Sequence, residues 1–366
     1  MGAHVFIVNS ETFQITRDRC VAAVVKKKRE GGKFVEKTRA DILADISCVR
    51  IGDRIFFYEV KRGFHGIYEA VSLPFVDEQE VEGGGGSGKY LFGSKKNPHF
   101  IEDSLILPNR VLIKPKIYFK NPVTEMKAFG RFISAIDLRS IFYKKVLGRG
   151  KSVTHLFPEE EVKLTELLLK ANNGKTKKAK ELKCSPYKPK NPRPVIFDLQ
   201  PTENGEVKYE KILEGWLTQN IDNPSAGTEL FLGDLKEIEC FANYVPITIA
   251  GGNLDLVVFH QKQGRRYKIT IIELKKGKIV AKDVKQVETY VKWATENLTQ
   301  VLDEKPNKVE IDLLNRREMI QPVVIGSGIN SAALERLKGY SLKSKPILAV
   351  KYKIENKSIK FELVDF

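Results

Sequence analysis

The chain has 366 residues, 42% of them hydrophobic and 30% charged, and carries a formal net charge of +16. This length suits about two domains of ordinary size. No run approaches the ~20 apolar residues of a membrane span, and the opening MGAHVFIVNSETF lacks the apolar core and cleavage site of a signal peptide, so a cytoplasmic protein is expected. The excess of Lys and Arg makes a polyanion the leading partner class, set against the plainer reading of a solvated, Lys-rich surface. Nucleic acid is favoured over a membrane because no basic amphipathic helix carries a Trp/Phe/Leu face. The four cysteines, at 20, 48, 184 and 240, form no CxxC pair, and the five histidines show no HExxH spacing. A zinc site or disulfide framework is therefore not expected, and a reducing compartment fits.

In chain order, residues 1–172 read as one unit. HVFIVN is a strand, and a helix is expected from Thr16 to Val25. GDRIFFYEV and GIYEAVSLPF form a strand pair around a tight KRGFH turn, followed by a flexible EVEGGGGSGKYLF loop and a further strand, NRVLIKPKIYF. Helices are expected at Ala135 to Leu147 and Pro158 to Ala171, the second opening on Pro158 and three glutamates, which suits the helix dipole. The GGGGSG run is a lid or slack; it lacks the following GKS/T of a phosphate loop. Residues 173–205, including KTKKAKELKCSPYKPKNPRP, are basic and interrupted by proline. They read as a linker, a role compatible with a strap that tracks phosphates.

Residues 206–366 form a second unit. VKYEKILEGWLTQN is a helix, and IECFANYVPI, LDLVVFH and KITIIELK are strands. AKDVKQVETYVKWATENL is a helix, PVVIG a strand and SAALERLKGY a helix, and a closing hairpin turns at Asn356-Lys357. Strands alternating with helices argue for an α/β sheet of mixed direction.

Strand alternation sends Glu273 and Lys275 to one face and Ile272 and Leu274 to the other, while Asp255 alternates against Leu254 and Leu256. The connection from Phe259 to Tyr267, with Gly264 in it, is short enough for a hairpin. If those strands pair, Asp255, Glu273 and Lys275 converge. Carboxylates about 4 Å apart repel by roughly 4 kcal/mol at an effective dielectric near 20. Magnesium, a hard ion with oxygen ligands, would neutralise them, and manganese could substitute. Such an ion polarises a phosphate oxygen and acidifies a bound water. Lys275 would then hold the attacking water and balance the phosphate charge.

Written as a pattern, this is D-x17-ExK after GGN. The sequence here resembles the PD-(D/E)xK, restriction-endonuclease-like nucleases. GGNLDLVVF is similar to their acid-bearing strand, IIELKKGK to their ExK strand, and VKQVETYVKW, through Gln286 and Tyr290, to the QxxxY helix of the RecB-like branch. LEGWL sets Glu214 where that family carries a helical acid. Residues 205–340 resemble the nuclease domain of archaeal NucS/EndoMS-type endonucleases, with one departure: Asp255 is not preceded by Pro. The resemblance implies a metal held by Asp255, Glu273 and the main chain of Leu274, with Glu214, Lys275, Gln286 and Tyr290 completing the catalytic set. On the helix, Val284, Val287, Val291, Ala294 and Leu298 form a core stripe, and Gln286, Tyr290 and Trp293 form a second one. The plain alternative for that second stripe is a wide buried face. Glu214 flanks an apolar stripe of Tyr209, Ile212, Leu213, Trp216 and Leu217 and reads equally as a solvated helix acid.

In the first unit, GDR-IFFY followed by GIYEAVS, with the opening HVFIVNSETF, resembles EVE/PUA-like domains, relatives of YTH modules. That implies a small β-barrel accepting one flipped-out, modified base, with aromatic stacking offsetting the cost of flipping. Asn9, Ser10, Tyr58, Phe64 and Tyr90 are the candidate pocket residues, although strand aromatics are more often core. The fold class expected is α/β and α+β in two domains: an EVE/PUA-like β-barrel with helices, then a mixed sheet flanked by helices. The function implied is a magnesium-dependent, modification-dependent DNA endonuclease acting on double-stranded DNA, with a homodimer expected where both strands are cut. A mismatch- or structure-specific nuclease and a non-catalytic nucleic-acid binder are the alternatives.

Overall fold

The computed structural model describes residues 2–24, 29–30, 33–34, 36–78, 81, 107–129, 152–178, 184–247, 252–299, 313–341 and 345–366. The helix expected at 135–147, the GGGGSG loop and Tyr90 lie outside the described residues. The chain divides into two compact units, Met1–Ile196 and Phe197–Phe366. No described helix is long and apolar enough to cross a membrane.

The first unit is built on one curled, half-barrel sheet. Its central strands are β1 (Ala3–Val8), β3 (Arg54–Glu59), β4 (Gly63–Ala70) and β6 (Asn109–Pro115), which neighbour one another in that order. β2 (Val21–Val24) and β5 (Phe75–Val76) both pair with β6, and β7 (Val153–Leu156) borders β1. β1 and β3 run parallel, and the other described pairings in this sheet are antiparallel. Phe6, Ile55, Phe57 and Val111 are buried on one side of the sheet with Ile42 and Ile46, from the helix Glu36–Ile46. Val5, Phe56, Tyr58 and Phe64 are buried on the other, under the helix Pro158–Ala171. That second helix has the bounds its Pro-Glu-Glu-Glu start predicts.

Two expectations are corrected here. The helix expected from Thr16 to Val25 is α1, Ser10–Arg19, followed by strand β2. Asn9 caps its start, and Cys20, left-handed at φ 52°, ends it. The β-branched VAAV run then pairs with β6. The basic linker is also only partly a linker. Arg193 and Pro194 form β8, which pairs with β5. The Ser185 and Tyr187 amides donate to Asp18 and Arg19 carbonyls, and the Tyr187 ring is buried. Its hydroxyl accepts from Arg110 Nη1 at 2.6 Å and donates to Asp77, so apolar and polar contacts hold this segment to the first unit.

The second unit carries a six-stranded mixed sheet in the order β9 (Ile238–Pro246), β10 (Asn253–Lys262), β11 (Arg265–Leu274), β12 (Ile320–Gly326), β13 (Leu348–Glu355), β14 (Ser358–Leu363). β11–β12 and β12–β13 are parallel, and the rest are antiparallel. The β10–β11 hairpin turns through Gln263 and Gly264, both at positive φ, as does the β13–β14 hairpin at Asn356 and Lys357; two such residues suit the twist of a tight hairpin. The helix Ala281–Asn297 buries Val284, Val287, Val291 and Ala294, and its C-cap residue Leu298 is buried in line with them. That is the stripe its spacing predicts.

Candidate active site

β10 and β11 pair with Leu256 opposite Ile272, which brings Asp255 beside the Glu273–Leu274 end of the neighbouring strand. The Leu274 amide donates to Asp255 Oδ2 at 2.8 Å, fixing that carboxylate at the sheet. Leu254, Leu256, Ile272 and Leu274 are fully buried, so the acids alternate against a core as the period of two requires. Because the Leu274 side chain lies in that core, only its main chain can enter the site.

Asp255 and Glu273 are themselves buried, at 9% and 3% exposure. Lys275 Nζ donates to Glu273 Oε1, while the other oxygen, Oε2, is buried without a hydrogen-bond partner. Burial and then the Glu273 charge hold the Asp255 carboxyl well above the usual range. Burial likewise pushes Glu273 up to about 7, against the pull of Lys275. Burial alone would depress the Lys275 ammonium, but its pairing with Glu273 wins and raises it. Two crowded carboxylates, one with an orphaned oxygen, form a set of hard donors that Lys275 only partly neutralises. A divalent ion between Asp255, Glu273 and the Leu274 main chain fits that deficit. Among the described residues, no group of three His, Cys, Asp or Glu side chains forms a metal cage by itself.

The helix residues are partly gathered at the same place. Tyr290 is buried, and its hydroxyl donates to the Asn253 carbonyl at 2.9 Å, two residues before Asp255. Gln286 donates to that hydroxyl. Burial, then the Glu273 charge, pushes the Tyr290 phenol up to about 12. Gln286 and Tyr290 thus brace the start of β10 rather than reaching freely outward. Trp293, on the same stripe, is half-buried.

Glu214 is not the solvated helix acid of the plain alternative. It lies fully buried on α4, the helix Glu210–Asn220, accepting from Asn243 Nδ2 at 2.8 Å and from Lys211. A Cβ at the neighbouring Gly215 would stand 2.1 Å from the Phe197 ring, so a side chain there would force that ring to shift. Lys211 and Asn243 were not anticipated. Lys211 was legible three positions before Glu214, but Asn243 depends on the register of β9, which no local spacing reveals.

The base-pocket candidates of the first unit are dispersed. Tyr58 and Phe64 pack against one another inside the core, with ring centroids 4.9 Å apart and planes tilted by 45°. Asn9 accepts from the Thr12 amide at 2.7 Å as the cap of α1, and Ser10 is exposed as its first residue. A cluster that sequence reasoning missed joins Phe13 and His65, with ring centroids 4.3 Å apart, to Glu59, whose carboxylate lies 2.9 Å from His65 Nε2. Burial lowers the His65 pKa against the opposing pull of Glu59.

No protein-family model matches the chain, and no curated protein matches it. Some solved structures are similar to part of it. A Pseudomonas putida protein matches at 12% identity over 46% of this chain and 99% of that one, with a TM-score of 0.29. Rpa0253 from Rhodopseudomonas palustris matches at 18% identity over 46% of this chain and 92% of its own, with a TM-score of 0.28. Human THYN1, in complex with 5-methylcytosine-containing DNA, matches at 15% identity over 46% of this chain and 98% of its own, with a TM-score of 0.26. At these scores the likenesses carry no argument about this chain.

Proposed function

We propose that the second unit is a divalent-metal-dependent DNA endonuclease and that the first unit selects its substrate as a reader of a modified base. The observation that carries the nuclease reading is the buried Asp255–Glu273–Lys275 cluster, with one Glu273 oxygen left without a partner. The D…ExK resemblance supports the same chemistry independently of that geometry.

Asp255, Glu273 and the Leu274 main chain would hold magnesium, or manganese in its place. When bound, the ion polarises a phosphate oxygen and acidifies a coordinated water. The protein's own residues do the rest. The Leu274 amide fixes the Asp255 carboxylate, and Lys275 holds Glu273 Oε1. A lysine kept charged there balances developing negative charge on a phosphate and orients a water for attack. Tyr290, braced by Gln286, pins the strand that carries Asp255. The net charge of +16 favours a polyanionic backbone as substrate. The reader role rests on the EVE/PUA-like resemblance of the first unit.

The test is incubation of the full chain with magnesium and duplexes carrying single defined modifications, 5-methylcytosine among them, beside unmodified, mismatched and branched duplexes. Cleavage confined to modified duplexes is expected. Cutting of unmodified mismatched or branched DNA would replace the reader role with the structure-specific reading that the NucS/EndoMS resemblance favours. Binding without cleavage under any divalent metal would remove the nuclease. Binding should also weaken with salt, at a log–log slope near −0.9 per phosphate contacted.

A further inference from the structure

The buried acidic cluster of the second unit carries a further cation. Lys211 projects from the first turn of α4, with its side chain 15% exposed, and donates to the fully buried Glu214. Its ammonium also lies 4.7 Å from the centroid of the Tyr244 ring. Tyr244 is a left-handed residue, φ 52°, inside β9, between Asn243, which pairs with Leu256, and Val245, which pairs with Leu254. That brings it alongside Asp255. The strand is therefore distorted where its aromatic face meets the lysine, and Asn243 holds the other Glu214 oxygen at 2.8 Å. Burial first, then Glu273, with Glu214 and Glu210 adding to it, raises the Asp255 carboxyl, and the Lys211 charge opposes them.

This arrangement divides the acids into two groups. Glu214 has both oxygens engaged, by Lys211 and Asn243. Glu273 keeps a buried oxygen with no partner. We infer that Lys211 is a fixed counter-cation of this cluster, so that the cluster takes one divalent ion, at Asp255 and Glu273, and binds it less tightly than its carboxylates alone would. The inference rests on the nuclease reading of Asp255 and Glu273, and it makes Lys211 a positioning residue that acts through the electrostatics of the metal ligands.

The physical consequence can be measured without turnover. A unit charge several ångströms from a divalent ion, at a dielectric between protein and water, changes its affinity by an order of magnitude or more. Lys211→Gln removes the charge while its amide can still donate to Glu214, which favours folding; Lys211→Arg keeps the charge. Manganese is titrated into the full-length protein and both variants, with calorimetry reading affinity and stoichiometry and circular dichroism checking the fold. Expected are one ion per chain in the unaltered protein and in Lys211→Arg, and binding at least tenfold tighter, or a second ion, in Lys211→Gln. Unchanged or weaker binding in Lys211→Gln overturns the role of Lys211, as do two ions in the unaltered protein, and either result leaves the nuclease reading standing. If the unaltered protein binds no ion, the metal site itself fails and the inference fails with it. If Lys211→Gln does not fold, Lys211→Met in a Glu214→Gln background supplies the uncharged comparison, judged against Glu214→Gln alone by the same criteria.

Discussion

The two units each bury charge beside a sheet, and they do it in opposite ways. In the first, Arg110 is completely buried, yet its Nε donates to the Leu107 carbonyl at 2.9 Å and its Nη1 to Tyr187, which in turn donates to Asp77. Unlike charges and a neutral hydroxyl are interleaved, each with a partner. In the second, Asp255 and Glu273 are like charges side by side, and Glu273 Oε2 has no partner. Buried charge by itself is therefore a poor mark of a functional site, because a satisfied network is a structural fastening. The mark in the second unit is narrower: two like charges side by side with a carboxylate oxygen left unsatisfied, for which a cation would be the missing partner.

This contrast is broken most directly by removing the unsatisfied side. Glu273→Ala or Lys275→Ala should lower DNA cleavage at least a hundredfold, in keeping with the loss of a positioned catalytic group, while DNA binding measured by gel shift changes little. Retained cleavage in either variant would make the cluster a structural one after all.

Stability should then separate the two clusters by sign. Arg110→Met removes the buried cation beside the Tyr187–Asp77 pair and should destabilise the protein by about 3 kcal/mol. Asp255→Asn should instead stabilise the metal-free protein by about 1–2 kcal/mol at pH 8, because it removes a like-charge contact while its side-chain carbonyl can still accept from Leu274. The sign follows from linkage. The Asp255 carboxyl is raised in the folded state by burial and by Glu273. Between the unfolded and folded values the native state therefore binds the extra proton, and stability falls as pH rises through that window. Asn stays neutral throughout, so the advantage of Asp255→Asn should shrink toward zero near pH 4. Thermal melts at both pH values, without metal, test this. An advantage independent of pH would mean that packing rather than charge sets it.

How much of this was legible in the sequence follows the range of the forces involved. The period-two alternation around Asp255 and Glu273 and the core stripe from Val284 to Leu298 are local patterns, and the structure carries both. The Lys211–Glu214 pair is local too, at three-residue helical spacing, but spacing does not show that it faces Asp255. Asn243 and Tyr244 enter the site through strand register, a long-range property that a single sequence does not encode in any short window. Tyr58 and Phe64 illustrate the reverse failure. Aromatics in strands are more often core than pocket, and the neighbouring helix Pro158–Ala171 covers the face on which they pack. The segment after residue 183 was misjudged because its composition is that of a linker, whereas three features (β8, Tyr187 and the amides of 185 and 187) hold it to the first unit.

The smallest effect sharpens the comparison in the first unit. Asn9 was a candidate for base contact, and its Oδ1 accepts from the Thr12 amide while the Thr12 hydroxyl accepts from the Asn9 amide at 2.9 Å, a reciprocal cap. Asn9→Ala should therefore cost about 1 kcal/mol of stability, the usual loss for an N-cap, and leave affinity for DNA unchanged. Asn9→Asp should recover the stability, since a carboxylate caps equally well and favours the helix N-terminus. A base contact would behave differently, because Asp cannot reproduce the amide's paired donor and acceptor. Recovery of stability by Asn9→Asp without any change in binding assigns Asn9 to the helix. A loss of binding in both variants would return it to the pocket, because a group whose only task is to start α1 has no means of discriminating among bases.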